Sequence, residues 1–213
     1  MKYILLHGMG QNASSWTETI SCLSDKTETV SLELSNFFNE RNCTYGKTYA
    51  LFCEYCNSIS EPLNLCGLSI GAVLALNYAI DFPKNINSLI LIAPQYDMPK
   101  FLLKVQNVLF RFIPQSQFCN IGLKKNDFIT LTNSMADIDF TNVLYKINCP
   151  VLVICGEKDS VNKKAAIKLT EKLSNAKFVT IDNSGHEVNI DNPQELANAM
   201  NTFFDNINSG LYK

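Results

Sequence analysis

The sequence has little of three things: long apolar runs, net charge and histidine. The apolar segment near the first residue stops at His7 and Gly8, too early for a secretory core or a membrane span, and later apolar runs are also short. We therefore expect no membrane span and a cytoplasmic location. The formal net charge is −2, so the chain lacks the basic field that attracts nucleic acid, and we expect no nucleic-acid partner.

Cysteine is frequent, with eight residues, but the spacing is not that of a disulfide framework. The cysteines are scattered through apolar surroundings, which is typical of reduced thiols. Cys53 and Cys56 form a C-x-x-C pair, yet a zinc site needs a second pair of ligands. We interpret the two as small residues one turn apart on a helix, and we expect no metal.

The order of apolar segments predicts one domain with a mostly parallel sheet. Of the 213 residues 46% are hydrophobic, enough for one core. Short β-rich runs alternate with longer helical patterns, which favours strands joined by helices. The predicted strands are 3–6, 29–33, 63–66, 88–92, 150–155 and 177–181, and the predicted helices between them are 45–58, 70–81, 162–173 and 193–204.

The segment 96–146 interrupts this alternation, because it separates two strands that would otherwise be neighbours. It is rich in Phe, Leu, Lys and Asn. Its apolar residues recur at helical spacing, which predicts an amphipathic helix over much of 100–113. We interpret 96–146 as an insertion within a single domain of residues 1–213.

The motif Gly67-Leu68-Ser69-Ile70-Gly71 has the form G-x-S-x-G and lies between a predicted strand and a predicted helix. A nucleophile on such a sharp turn needs residues without bulk two positions away on either side, and both glycines meet this need. The turn would place the hydroxyl by the N-terminus of the helix, whose free N–H groups favour a developing oxyanion. We predict that Ser69 is the nucleophile.

A second glycine-containing loop, His7-Gly8-Met9-Gly10, follows the first predicted strand. A tetrahedral intermediate needs donors aimed at the charge that develops. The N–H of Met9 and the N–H of Ile70 would supply two. We interpret His7 as a structural residue that holds this loop by hydrogen bonds.

The candidate base and its acid follow the last two predicted strands. His186 stands after 177–181, at the end of a parallel strand, where catalytic groups collect. Asp159 follows the strand before it and is the predicted acid that orients the imidazole. Two alternatives stay open: Glu157 is a nearby competitor, and a carboxylate here would also suit a cap for the helix that begins near Asn162.

These residues together resemble the α/β-hydrolase superfamily, over positions 3 to 204. The order Ser69, Asp159, His186 is the one that this fold uses. The loop 7–10 with Asn12 and Trp16 is similar to the opening of small carboxylesterases. The resemblance implies an α/β-hydrolase fold with a six-stranded sheet flanked by helices, without the usual first two strands, and a helical cap formed by 96–146.

The resemblance also implies a serine hydrolase that cleaves a small-molecule carboxylic ester or thioester. His186 would act as general base, Asp159 as its orienting acid and Ser69 as the acylated nucleophile, with no cofactor. Apolar residues of the cap would favour an apolar acyl or alkyl group, or would only fasten the cap to the core. The predicted substrate-binding residues are Phe101, Val105, Leu109 and Phe112.

Two other classes of function remain. A lyase or acyltransferase with the same triad would hold an anionic substrate with charged cap residues, for which Lys100, Lys104 and Arg111 are candidates. A ligand-binding protein of the same fold is disfavoured, because all three triad positions are intact. The sequence does not predict the oligomeric state.

Overall fold

The computed structural model describes residues 2–24, 27–38, 43–98 and 125–211. The predicted helix over 100–113 lies outside the described residues. So do the predicted substrate-binding and charged cap residues, namely Lys100, Phe101, Lys104, Val105, Leu109, Arg111 and Phe112.

Six parallel strands form one sheet in the described part of the chain. They are β1 (Lys2–Leu6), β2 (Glu28–Leu32), β3 (Leu63–Leu68), β4 (Ile86–Ile92), β5 (Val151–Gly156) and β6 (Ala176–Ile181). Their spatial order is β2-β1-β3-β4-β5-β6, and every neighbouring pair is parallel. The six-stranded sheet is therefore confirmed, with each strand end within two residues of its predicted position.

The described α-helices include the four that the sequence predicts. In chain order they are α1 (Thr17–Ser21), α2 (Tyr45–Asn57), α3 (Ile70–Asp81), α4 (Lys125–Ser134), α5 (Ser160–Lys172), α6 (Val188–Asp191) and α7 (Pro193–Asn208). The unpredicted helices are α1, α4 and α6, and α4 belongs to the described part of the insertion 96–146. None of these helices, over the ranges described, is long and apolar enough to cross a membrane.

The sheet is covered by helices on both faces, which explains why its central strands are continuous apolar runs. Alternate residues of each strand contribute to opposite cores. On β3, Leu65 packs with the side covered by α2, α3, α4 and α5, whereas Cys66 and Leu68 pack with the side covered by α1 and α7. On β4, Leu89 packs on the same side as Leu65, and Ile90 packs on the side of Cys66 and Leu68.

The cysteines contribute to these cores as small apolar residues. The seven described cysteines are free, and Cys119 lies outside the described residues. Cys53 and Cys56 both lie within α2, as predicted. Burial raises the pKa of the Cys155 thiol on β5 to about 12, so this thiol stays protonated at neutral pH and is a poor nucleophile.

One buried polar network interrupts the apolar core at the amino-terminal end of the central strands. Asn64 donates from Nδ2 to the carbonyl oxygen of Lys2 (3.0 Å). Its Oδ1 accepts hydrogen bonds from Ser88 Oγ (2.8 Å) and Asn87 Nδ2 (2.7 Å), and Tyr3 Oη lies 3.1 Å from Ser88 Oγ. The network joins β1, β3 and β4 at the sheet edge opposite to their carboxyl ends.

Asn64→Leu tests the contribution of this network to stability. We expect the free energy of unfolding to fall by about 2 kcal/mol, because buried polar groups lose their partner. Urea denaturation followed by circular dichroism measures this. Asn87→Ala is the matched control, since it removes one exposed donor to the same oxygen and should cost less than about 0.5 kcal/mol. Equal unfolding midpoints for Asn64→Leu and the wild type would contradict the interpretation.

Candidate active site

Ser69 occupies the turn between β3 and α3 and has a strained backbone. Its φ of 55° and ψ of −115° lie in a region that residues with a side chain rarely adopt. Two hydrogen bonds hold it there: Ser69 N–H donates to Ile92 O (2.9 Å), and Val73 N–H donates to Ser69 O (3.0 Å). The strand-turn-helix arrangement predicted around Ser69 is therefore present.

The two glycines of the motif allow three backbone segments to touch. A Cβ on Gly67 would overlap the carbonyl group of Gly71, and a Cβ on Gly71 would overlap the carbonyl oxygen of Leu6. The first turn of α3 therefore lies directly against the ends of β3 and β1. This close packing forces the sharp turn at Ser69.

The loop after β1 lies beside Ser69. A Cβ on Gly8 would lie 3.7 Å from the Ser69 Cβ and 3.3 Å from Leu68 Cδ2. Among the described residues, no acceptor is found for the backbone N–H of Met9 or of Ile70. Both predicted oxyanion donors are thus free to bind an oxygen from another molecule.

His7 is buried and holds this loop against the segment after β2. Leu34 N–H donates to His7 Nε2 (3.0 Å), so the neutral ring carries its proton on Nδ1 and donates it to Gly8 O (2.9 Å). Glu33 Oε1 lies 3.2 Å from the same Nε2 and would replace the Leu34 interaction if the ring were protonated. Its other oxygen accepts from Ala13 N–H (3.0 Å). His7 is therefore engaged at both ring nitrogens.

Asp159 and His186 form a hydrogen-bonded pair at the carboxyl ends of β5 and β6. His186 Nδ1 lies 2.8 Å from Asp159 Oδ2. The carboxylate is buried, whereas 42% of the imidazole surface is exposed. Burial raises the pKa of Asp159, but hydrogen bonds from His186 and Asn162 outweigh it, so the pKa lies below its ordinary value. The aspartate is ionised at neutral pH and orients the ring with Nδ1 as donor.

The alternative acid, Glu157, serves a different purpose. Its Oε2 accepts a hydrogen bond from Asn183 N–H (2.9 Å) in the turn after β6, so it stabilises the segment that leads to His186. Asp159 does form the cap that the sequence analysis left open, because its Oδ1 accepts from Asn162 N–H (3.2 Å) at the start of α5. One carboxylate oxygen caps the helix, and the other is bonded to the imidazole.

The structure joins two of the three predicted triad residues by a hydrogen bond. Within the described residues no hydrogen bond links Ser69 to His186. Such bonds are often long in unliganded enzymes and shorten when substrate binds. No group of three His, Cys, Asp or Glu side chains in the described ranges is arranged to hold a metal.

A buried amide pair, which no sequence motif predicts, joins the segment after His186 to the loop beside Ser69. Gln11 Nε2 donates to Asn189 Oδ1 (3.1 Å), and Asn189 Nδ2 donates to Gln11 Oε1 (3.2 Å). Gln11 Oε1 also accepts from Gly8 N–H (3.3 Å), and Asn189 Nδ2 also lies 3.0 Å from Ser15 O. Since Asn189 follows His186 and Gly8 adjoins Ser69, this pair connects the segment after His186 to the loop beside Ser69.

Gly156, at the end of β5, sets the distance between Asp159 and the loop that carries His186. A Cβ on Gly156 would overlap the carbonyl oxygens of Ser184 and Gly185. The neighbouring Lys158 N–H donates to Ser184 O (2.8 Å). The two loops are therefore in backbone contact, and only a glycine fits between them.

Gly156→Ala should separate His186 from Asp159, because the added methyl group displaces the 184–185 backbone. We expect loss of the downfield proton resonance of the hydrogen-bonded imidazole Nδ1–H, measured by NMR at low temperature. Gly46→Ala is the matched control, since a Cβ there meets nothing within 4 Å. A spectrum of Gly156→Ala that retains the wild-type resonance would show that the contact does not position the pair.

Comparison with known proteins identifies relatives over most of the chain. A family model described as the alpha/beta hydrolase family matches residues 3–199. The pimeloyl-[acyl-carrier protein] methyl ester esterase of Aeromonas hydrophila is 22% identical over 94% of this chain and 94% of the relative. Monoacylglycerol lipase ABHD6 of Mus musculus is 20% identical over 97% of this chain and 76% of the relative.

Solved structures show the same fold at low sequence identity. A thermophilic esterase from Thermogutta terrifontis superposes with a TM-score of 0.78 at 18% identity, covering 97% of this chain and 90% of that one. The enol-lactonase from Burkholderia xenovorans LB400 has a TM-score of 0.83 at 15% identity, covering 96% and 91%. With the family model matched from β1 into α7, the chain belongs to the alpha/beta hydrolase family.

Proposed function

We propose that this chain is a serine hydrolase that cleaves a carboxylic ester or thioester through an acyl-enzyme on Ser69. The observation that carries the proposal is the 2.8 Å hydrogen bond between Asp159 Oδ2 and His186 Nδ1. Because Nδ1 is the donor in this bond, the neutral ring leaves Nε2 without a proton. A histidine held in this tautomer is a general base that a serine hydroxyl can use.

In the proposed reaction, His186 Nε2 removes the proton of Ser69 as Oγ attacks the carbonyl carbon of the substrate. Asp159 stabilises the imidazolium that results. The proton then passes to the leaving alcohol or thiol as its bond to the carbonyl carbon breaks, and an acyl-enzyme remains. Water, deprotonated by His186, releases the acid and restores Ser69.

The oxyanion that forms at each step needs two donors. The N–H groups of Met9 and Ile70 are without acceptors in the described residues, and Gly8 lies beside the serine side chain. Donors already fixed by the backbone need no rearrangement when charge develops, and one such donor is worth on the order of a hundredfold in rate. We assign this role to Met9 and Ile70.

The substrate class rests on two supports of different kinds. The relatives include proteins named as a methyl ester esterase and a monoacylglycerol lipase. The sequence of the insertion supplies apolar residues suited to an acyl or alkyl chain, with Phe101, Val105, Leu109 and Phe112 as the proposed contacts. A small-molecule ester or thioester with an apolar group is therefore the proposed substrate.

Ser69→Ala tests the nucleophile. We expect the purified chain to hydrolyse p-nitrophenyl esters in a series from acetate to laurate, and the rate to fall by about 10⁴-fold or more in the variant, because the acyl-enzyme cannot form. Release of p-nitrophenol measures turnover, and mass spectrometry measures the acylated serine. Equal rates for wild type and variant would exclude a serine mechanism, and inactivity of both across the series would favour the lyase, transferase or binding alternatives.

Asp159→Asn and Glu157→Gln distinguish the two candidate acids. We expect Asp159→Asn to lower kcat by about 10³- to 10⁴-fold, because the amide no longer favours the Nδ1–H tautomer or stabilises the imidazolium. Glu157→Gln should retain activity, since its amide oxygen can still accept from Asn183 N–H. Ester hydrolysis under identical conditions measures both. A larger loss in Glu157→Gln than in Asp159→Asn would reverse the assignment.

A further inference from the structure

Asn162, in the first turn of α5, touches both members of the acid–base pair. Its Nδ2 lies 2.9 Å from Asp159 Oδ1 and 2.9 Å from Asp159 Oδ2. The same nitrogen lies 3.1 Å from His186 Nδ1. Since the amide nitrogen and the ring Nδ1–H are both donors, they share Oδ2 as their acceptor.

Gln95, in the loop after β4, contacts the other end of this amide. Gln95 Nε2 donates to Asn162 Oδ1 at 2.7 Å. The opposite orientation of the Asn162 amide would place its oxygen against the Asp159 carboxylate and its NH₂ group against the Gln95 donor. The contact with the ionised carboxylate, which only accepts, would then be repulsive, so Nδ2 faces Asp159 and Oδ1 is left as the acceptor for Gln95.

We propose that Asn162 is a positioning residue for the Asp159–His186 pair and that Gln95 acts through Asn162. Asn162 holds the carboxylate against rotation and takes part of its charge, so Oδ2 remains aligned with the imidazole. The inference rests on the proposed function, because it assumes that the pair serves Ser69. It adds two side chains, one from the loop after β4 and one from α5, to a site whose reacting groups follow β3, β5 and β6.

The proposal predicts a pH effect whose sign follows from the shared carboxylate. Donors on a carboxylate make it a weaker base, and the Asn162 hydrogen bonds contribute to the lowered pKa of Asp159. Without the Asn162 hydrogen bonds the carboxylate is more basic, so the Asp159–His186 pair binds a proton more tightly. The protonated pair cannot act as a base, so the acid limb of the pH–rate profile moves to higher pH.

Other charged groups lie near His186 and stay unchanged in the experiment. Asp191 accepts from Gly185 N–H (2.7 Å), and Lys158 Nζ donates to Asn183 O (2.9 Å). In the chain, the charged groups near His186 are Asp182, Glu187 and Asp191, and those near Asp159 are Glu157, Lys158, Lys163 and Lys164. Any shift of the acid limb on substitution of a neutral amide therefore reports a changed hydrogen bond to the pair.

The rate of Ser69 labelling by a fluorophosphonate is the measurement, because it needs no knowledge of the substrate. The serine oxygen bonds to phosphorus, fluoride leaves, and the pair takes the serine proton. In Asn162→Leu and Asn162→Ala we expect the midpoint of the acid limb to rise by about half a pH unit or more. Gln95→Leu should shift it less in the same direction, and Gln95→Leu with Asn162→Leu should match Asn162→Leu alone.

Thr170→Val is the matched control, because it removes a side-chain hydrogen bond within α5 (Thr170 Oγ1 to Ala166 O, 2.9 Å) away from the pair. Its midpoint should equal that of the wild type. Thermal unfolding checks that each variant is folded.

The possible outcomes distinguish a failure of this inference from a failure of the proposed function. A folded Asn162 variant with the wild-type midpoint overturns the role of Asn162, and additive shifts in the double variant overturn the route through Gln95. If the wild type is not labelled, or Ser69→Ala is labelled equally, the proposed function fails and the inference fails with it.

Discussion

The site depends on one steric constraint, the direct contact of the first turn of α3 with the ends of β3 and β1. The contact is possible only because Gly67 and Gly71 have no side chains to separate the backbones. A helix that begins so close to its strand leaves no room for a gradual turn, and Ser69 takes a positive φ as a result. The same packing puts the Ile70 N–H, which has no acceptor among the described residues, at the helix N-terminus next to the serine. The proposed nucleophile and one proposed oxyanion donor therefore have a common origin.

The parallel topology brings Asp159, His186 and the loop after β1 to the same edge of the sheet as Ser69, but it does not align them. Alignment comes from local contacts: the Gln11–Asn189 amide pair between the loop after β1 and α6, and the backbone contact of Gly156 with the 184–185 loop. A buried amide pair costs stability unless its polar atoms are satisfied. Here each amide accepts and donates within the pair, and each makes one further hydrogen bond, Gln11 with Gly8 N–H and Asn189 with Ser15 O. The pair thus fixes the relative position of the two segments through directional hydrogen bonds.

The fold and the residues that meet at the candidate site could be predicted from the sequence because their signals are periodic or local. Strands buried on both faces are continuous apolar runs, and glycines around Ser69 mark the turn. The sequence favours Asp159 over Glu157 but leaves Glu157 open, because both follow β5, and the structure separates them by their partners, His186 for Asp159 and Asn183 for Glu157. Helices of four or five residues, such as α6, are too short to show a period. Amide side chains in loops follow no sequence periodicity or motif, so the roles of Gln11 and Gln95 could be inferred only from their contacts in the structure.

The two histidines show how environment rather than residue type decides chemical role. His7 is buried and has partners for both ring nitrogens, Leu34 N–H at one and Gly8 O at the other, so removing a proton from substrate would break the loop that it holds. His186 has its Nδ1 bonded to Asp159, and its Nε2 has no hydrogen bond to any described residue. A general base needs one nitrogen anchored and the other accessible. Only His186 meets both conditions, and the exposure that would be a weakness in a structural residue is what the proposed reaction requires.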